Sequence, residues 1–314
     1  MKIIEDINHC NEFGSDSVIT VGAFDGVHLG HAAILRYLNN VSSQAGSPSA
    51  VVTFEPHPQE IVNPQGAVSL LTTKEEKLEA FASLGIETVF VLPFTAQLAE
   101  LSPEEFVREI LVDRLRTKRL VIGYNHTFGN GRSGNVEILQ ELGNKWGFRV
   151  NVVPPVIVGG RPVSSTRIRN LLSEGNVSEA AQLLGRNYGF CGLVYSGEGL
   201  GRRLGFPTAN LRVKNARKLI PATGVYAVRA MFSTQRRAGV MNIGYRPSFE
   251  GTQQTIELYL LNFKGDLYNT KIKVELLSKI RDEMKFLRKE GLTKQIEEDI
   301  KVAEELTSDR KVRP

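Results

Sequence analysis

The sequence predicts an α/β unit with a parallel sheet, followed by a smaller all-β unit. Three observations carry this. Across residues 18–153 short β-rich runs alternate with helical ones, the pattern of a parallel sheet covered by helices. Beyond Gly185 a series of β-rich runs separated by Gly and Pro takes over, which suggests a small barrel or sandwich. The length of 314 residues also exceeds one small core and suggests about two domains. The expected boundary lies near residue 186, giving domains 1–185 and 186–314.

The elements follow in order. Residues 18–21 read as the first strand, followed by Gly-containing turns and a helix over 29–38. Residues 51–54 read as the next strand. A helix with acids early spans 74–84 and leads to a strand over 87–92. Ser102 is a good N-cap, with Pro103 at the first helical position and Glu105 at the third. These signals open a helix running to Leu115. A strand at 120–122, a helix at 136–146 and a strand at 149–153 complete a Rossmann-like pattern. Helices over 164–172 and 177–184 end at Gly185. Strands are then expected over 190–194, 225–231, 237–243, 256–261 and 271–277. An amphipathic helix over 292–306 closes the second domain.

Composition narrows the function classes. With 41% hydrophobic and 23% charged residues, the chain reads as an ordinary globular protein. No stretch approaches the roughly 20 apolar residues that span a bilayer, and the first residues carry acids and no apolar run, so neither a membrane span nor a signal peptide is expected. Two cysteines, Cys10 and Cys191, do not make a disulfide framework. A cytoplasmic protein with reduced thiols is the simple reading. The net charge of +5 suits nucleic acid, an acidic surface, phosphorylated small molecules or mere solubility. Aromatic residues lie mostly within apolar runs and are not interleaved with basic ones, which argues against nucleic acid. All five histidines lie within the first 126 residues. A His/Cys zinc site in the second half is therefore excluded, and any metal there must be bound through oxygen.

Two constellations carry chemistry. The first, Gly22-Ala23-Phe24-Asp25-Gly26-Val27-His28-Leu29-Gly30-His31, follows the first strand and opens its helix. Ligands of open α/β sheets gather at the carboxyl ends of strands, where helix N-termini offer unpaired N–H donors to phosphates. Two imidazoles there can donate to a phosphate whose charge changes during reaction. No third ligand at metal spacing accompanies them, so zinc is not expected. Thr53-Phe54-Glu55-Pro56-His57-Pro58 follows the second strand and lies on the same edge. Ser164-Ser165-Thr166-Arg167-Ile168-Arg169 opens a helix with hydroxyls first and two arginines within a turn, which suits a polyphosphate.

The second constellation is Gly197-Glu198-Gly199-Leu200-Gly201-Arg202-Arg203-Leu204-Gly205-Phe206-Pro207-Thr208-Ala209-Asn210. It is not a Walker motif. By itself the glycine run suits a plain surface loop as well as a binding loop. Thr208 and Asn210 alternate on a strand and so share a face, where they can hold a hard cation such as Mg²⁺ beside phosphates. Phosphorylating an alcohol needs a carboxylate to take or orient the proton. Glu257, acidic within the apolar run 255–259, is either that group or a solvent-facing strand glutamate.

The segments of the first constellation resemble the adenylyltransferase half of bacterial bifunctional riboflavin kinase/FAD synthetases, in the HxGH nucleotidyltransferase superfamily. Gly205-Phe206-Pro207-Thr208-Ala209-Asn210 is similar to the GFPTAN signature of riboflavin kinases. Gly224-Val225-Tyr226-Ala227, Asn242-Ile243-Gly244 with Arg246-Pro247-Ser248-Phe249, and the run from Lys279 to Phe286 match further stretches of that family in order. The resemblance implies a nucleotidyltransferase domain and a six-stranded antiparallel barrel with a C-terminal helix. It implies phosphorylation of riboflavin by ATP to FMN, then adenylylation of FMN by ATP to FAD with loss of pyrophosphate. Mg²⁺ is the implied cofactor, ATP the co-substrate, and riboflavin, FMN and FAD the partners, with no nucleic acid or membrane. His28, His31 and Arg169 would act on the transferring phosphates, with Ser165 and Thr166 on the leaving pyrophosphate. Thr208 and Asn210 would bind magnesium and Glu257 would be the catalytic base. Gly22, Phe24, Asp25, Gly30, Asn125, Gly201, Arg203, Gly205 and Arg281 complete the implied cofactor-binding set. In the loop Gly123-Tyr124-Asn125-His126-Thr127-Phe128-Gly129 the chain departs from the family by carrying Asn125-His126 where Asp-Phe is commoner. Asn keeps an acceptor but loses the charge.

Overall fold

The computed structural model describes residues 1–6, 16–66, 68–196, 201, 205–248, 251–284, 286 and 288–308. They form two compact units, Met1–Ser165 and Thr166–Pro314.

In the first unit the helices are α1 (Leu29–Ala45), α2 (Pro58–Val62), α3 (Lys74–Ser83), α4 (Ala96–Glu100), α5 (Pro103–Phe106) and α6 (Val136–Trp146). The strands β1 (Lys2–Ile4), β2 (Ser17–Val21), β3 (Ser49–Glu55), β4 (Thr88–Pro93), β5 (Thr117–Gly123) and β6 (Arg149–Val153) form a sheet in the order β1-β4-β3-β2-β5-β6. Every pairing is parallel. Ile19, Val52, Phe90 and Leu120 turn to one side and pack with Phe106, Leu111 and Leu139. Their neighbours Val18, Val51, Val89 and Val121 turn to the other, with Leu35, Leu38 and Phe81. Burial on both faces is why these strands read as unbroken apolar runs. A small hairpin, β7 (Ile157–Val158) with β8 (Arg161–Pro162), follows the sheet.

Three differences from the sequence reading have physical causes. Helix α1 runs beyond 38 because Val41 continues the buried stripe of Ala32, Leu35 and Leu38, and it stops at Gly46 with φ 60°. The helix expected over 103–115 is α-helical only in α5 and continues as a π-helix over Val107–Arg114. The apolar spacing could not distinguish the two coils over so few residues. Strand β1 is too short for its periodicity to register and gains its order by pairing with β4.

The second unit begins at Thr166, inside α7 (Ser165–Ser173), and continues with α8 (Val177–Leu184). Both join the β-rich part of the unit: the Ala222 N–H donates to the Leu172 carbonyl at 3.0 Å, and Ser178 Oγ donates to the Leu277 carbonyl at 3.1 Å. Strands β9 (Gly189–Tyr195), β10 (Thr208–Arg212), β11 (Gly224–Phe232), β12 (Gln235–Ser248), β13 (Gly251–Leu260) and β14 (Lys271–Arg281) form a closed barrel in the order β10-β13-β12-β11-β14-β9. All its pairings are antiparallel. Closure leaves no unpaired edge. The terminal helix α9 (Lys289–Ser308) lays Ala303 and Ile300 against Val225, Ala227, Val240 and Leu277 on the barrel.

One ion pair fastens that helix. The Arg281 guanidinium holds the Asp299 carboxylate through Nε at 2.9 Å and through a second nitrogen at 2.8 Å, and Asp299 is 2% exposed. Asp299→Ala is expected to lower the stability of the second unit by about 3 kcal/mol, since it leaves the guanidinium without its buried partner. Urea unfolding monitored on that unit checks this, and a loss under half that size would refute it.

Candidate active sites

In the first unit the chain runs from β2 to β3 and β4 on one side, then returns to place β5 on the other side of β2. The strand order therefore reverses between β2 and β5, and ligands of open α/β sheets bind outside such a reversal, at the carboxyl ends of the strands. The loop 22–28 leaves β2 at this point and the loop 124–129 leaves its neighbour β5. Both predicted loops thus meet at one edge of the sheet.

The 22–28 loop is strained and closely held. Phe24 and Val27 adopt φ values of 50° and 38°, a left-handed conformation that costs about 1–3 kcal/mol for a non-glycine residue. Gly22 N–H donates to the Val52 carbonyl at 3.0 Å. The Asp25 carboxylate, 5% exposed, accepts from the N–H groups of Leu71 and Thr72, each at 3.0 Å, and from the Thr72 hydroxyl. Ser165 Oγ donates to the Asp25 carbonyl at 2.9 Å.

This loop delivers the histidines. His28 caps α1, its Nδ1 accepting from the His31 N–H at 3.3 Å. The two rings stack 3.7 Å apart, and the Phe24 ring meets His31 edge-on at 5.2 Å. Gly30 permits this, because a Cβ there would lie 3.1 Å from the His28 ring. The result is a stacked imidazole pair at a helix N-terminus, able to donate to a phosphate.

Asn125 is exposed in the loop after β5. Beside it His126 stacks on Phe128, ring centroids 5.9 Å apart, and burial pushes its pKa down to about 4. A neutral imidazole therefore packs against Phe128 here. The unfolded chain takes up this proton near pH 6.5 and the folded chain only near 4. The group thus has no effect above pH 6.5 and costs stability progressively as pH falls from 6.5 to 4. His126→Phe is expected to flatten that part of the stability profile of the first unit. An unchanged slope would overturn the assignment.

Thr166 and Arg169 lie on α7, in the second unit, Thr166 exposed and Arg169 half-buried beside the buried Ile168. Arg203 lies outside the described residues, as do 197–200, 202, 204, 249 and 285 of the quoted segments.

In the barrel, Ile256 and Leu258 are buried, so Glu257 between them points to the opposite, outer face of the wall. Strand β13 lies between β10 and β12, and Glu257 is in register with Asn210 on one side and Asn242 on the other. Thr208, two residues along β10, reaches the Glu257 carboxylate from its hydroxyl at 3.5 Å. Arg246 forms an ion pair with the other carboxylate oxygen. Gly201 abuts this cluster, since a Cβ there would lie 3.0 Å from Thr208 Oγ1 and collide with the Phe206 carbonyl. Gly205 turns the chain into Phe206 with φ 88°, and the Phe206 ring meets Tyr259 edge-on at 5.8 Å. Arg281, by contrast, is committed to Asp299 and lies 5.9 Å over the Phe286 ring.

The donor set of hydroxyl, amide and carboxylate is all oxygen, which suits a hard cation such as Mg²⁺. Among the described residues no cluster of three His, Cys, Asp or Glu side chains offers a different metal site.

Sequence reasoning singled out Thr208, Asn210 and Glu257 but not the ion pair of Glu257 with Arg246 or its register with Asn242, although both lie in segments quoted above. It missed Thr72 and Lys77 altogether. Nothing in a helix that opens Lys-Glu-Glu-Lys marks its second lysine as buried, and Lys77 is 5% exposed.

An imidazole pair at the switch point of a parallel sheet can donate to a transferring phosphate, and an oxygen cluster with a carboxylate on a barrel wall can activate a hydroxyl. Together they define an ATP-dependent transferase with two separate modules. Comparisons with known proteins agree. A family model for FAD synthetase matches residues 10–167, and one for riboflavin kinase matches 184–307. The chain is 37% identical over 307 residues to the bifunctional riboflavin kinase/FMN adenylyltransferase of Escherichia coli (strain K12), covering 97% of each. It is 38% identical over 309 residues to that of Pseudomonas fluorescens, covering 98% of each. A solved structure described as a macrolide-efflux protein from Streptococcus pneumoniae is 31% identical, with a TM-score of 0.87 over 96% of this chain and 98% of that one. Among the described residues no helix is long and apolar enough to cross a membrane. The chain belongs to the bifunctional riboflavin kinase/FMN adenylyltransferase family.

Proposed function

We propose that this chain carries out both reactions of its family through the residues described above, the adenylyltransferase using residues of the 1–185 domain and the kinase those of 186–314. The enzyme phosphorylates riboflavin with ATP and adenylylates the resulting FMN with a second ATP. The observation that carries the assignment of roles is the position of Glu257, held in register between Asn210 and Asn242 and touched by Thr208.

In the kinase reaction Glu257 takes or orients the proton of the terminal ribityl hydroxyl. Arg246 fixes the direction of that carboxylate. Thr208 and Asn210 would hold Mg²⁺, which would neutralise phosphate charge on ATP. Gly201 and Gly205 let the backbone come close beside this cluster, and Arg203, outside the described residues, is assigned to nucleotide binding by the resemblance alone. Arg281 is a positioning residue that ties the segment leading to Phe286 to α9.

In the adenylyl transfer the FMN phosphate is already an anion, so it attacks the α-phosphorus of ATP without a general base. His28 and His31 donate to the transferring phosphate. Ser165, whose hydroxyl donates to the Asp25 carbonyl of the 22–28 loop, holds the departing pyrophosphate, and for Thr166 and Arg169 that role is what the resemblance implies. Gly22, Phe24, Asp25 and Gly30 shape the loop that presents the imidazoles, and Asn125 contributes an amide from the loop after β5. The place of action is the cytoplasm, with riboflavin, FMN, FAD and ATP as partners.

The test is chromatography of the flavins formed from riboflavin, ATP and Mg²⁺ by the purified protein. FMN followed by FAD supports both halves. FMN that accumulates without FAD overturns the roles given to the first domain, and no product overturns both.

A further inference from the structure

The least expected group in the first unit is a buried cation that neither reaction uses. Lys77, in the first turn of α3, is 5% exposed. Its ammonium donates to three oxygens: Thr53 Oγ1 at 3.1 Å, the Ala23 carbonyl at 3.2 Å and the Phe54 carbonyl at 3.3 Å. Thr53 Oγ1 in turn donates to the same Ala23 carbonyl at 3.2 Å. A buried ammonium is retained only where its hydrogen bonds are satisfied and opposite charge lies near. Burial lowers the pKa of Lys77, and the carboxylates of Glu55 and Asp25 oppose that shift; Glu55 is raised by its own burial and held back by Lys77.

The position of this ammonium matters more than its cost. It joins the end of β3 to Ala23, one residue before Phe24, where the loop becomes strained. Five residues earlier in sequence, the N–H of Thr72 and that of Leu71 hold Asp25. Residues 71–77 therefore grip the loop on both sides of Phe24, and the histidine cap of α1 begins three residues after Asp25. A conformation with two non-glycine residues at positive φ persists only if its surroundings over-determine it.

We propose that Lys77 is a positioning residue for adenylyl transfer, its ammonium holding the 22–28 loop so that the stacked imidazoles of His28 and His31 meet the transferring phosphate. Lys77 itself touches neither substrate. Misplacing a catalytic group by an ångström slows a reaction by about 100-fold, so the loss falls on the rate of the bound complex more than on affinity. The inference rests on the assignment of adenylyl transfer to the first domain.

The experiment compares the full-length wild type with Lys77→Met and Thr53→Val, measuring FAD formation from FMN and ATP, riboflavin phosphorylation and thermal unfolding. For Lys77→Met, kcat for FAD formation is expected to fall about 10- to 100-fold, with KM for FMN and ATP changed less than threefold and kinase activity unchanged. Thr53→Val, nearly isosteric, removes one acceptor and the second contact to Ala23, and is expected to lower kcat severalfold in the same pattern with little change in unfolding temperature. Near-wild-type kcat in either variant overturns the proposal alone. So does a loss that appears in KM, or one that tracks unfolding in Lys77→Met and is absent from Thr53→Val. Absence of FAD from the wild type overturns the role of the first domain and this inference with it.

Discussion

Glu257→Gln is expected to reduce riboflavin phosphorylation by about 10²- to 10⁴-fold, the range that a positioned proton acceptor supplies, while FAD formation from added FMN continues at the wild-type rate. The amide keeps the shape of the carboxylate and a hydrogen-bond acceptor for Thr208, whose hydroxyl lies 3.5 Å away. It loses the charge that takes the proton and the ion pair between Glu257 and Arg246. The hydroxyl of riboflavin is a neutral nucleophile, so no other described contact of this cluster replaces the carboxylate. Kinetics with saturating ATP and Mg²⁺ would decide. Phosphorylation within a factor of five of wild type would show that Glu257 is merely a wall residue.

The reciprocal variant is His28→Asn. It is expected to lower FAD formation from FMN by about 10²- to 10³-fold, the effect of losing one preorganised donor to a developing phosphate charge, so that FMN accumulates when riboflavin is supplied. Asn is chosen because His28 also caps α1. An Asn side chain is among the best caps, whereas Ala would cost about 1 kcal/mol of helix stability besides the chemistry. Loss of the ring also ends the 3.7 Å stacking that orients His31. Mixed in one vessel, Glu257→Gln and His28→Asn are expected to make FAD from riboflavin together, since FMN released by one serves the other. FAD formation by His28→Asn near the wild-type rate would refute the role of the imidazole.

Much of this was legible before any coordinates. The strands of the first unit are buried on both faces, so each writes itself as an apolar run. The cap at Ser102 follows from local chemistry, and its side chain is observed accepting the Glu105 N–H. Within a strand, side chains two apart share a face, so Thr208 and Asn210 could be paired by counting alone. The π-helix over Val107–Arg114 was not legible, because an eight-residue apolar pattern fits either coil. Arg281 had been grouped with ligand-binding residues, while its guanidinium engages Asp299, 18 residues along the chain.

By itself the sequence determined a parallel α/β unit, an all-β unit after it and the residue types that chemistry requires, because periodicity, caps and short motifs are local properties. The choice of a closed barrel over a sandwich came from the resemblance. The tertiary structure alone decided which groups act together. Asn210, Asn242 and Glu257 meet only through strand register, and Asp25 and Lys77 hold one strained loop only because α3 packs beside β3. Such contacts join residues far apart in sequence, and their energies depend on burial, which no local pattern encodes.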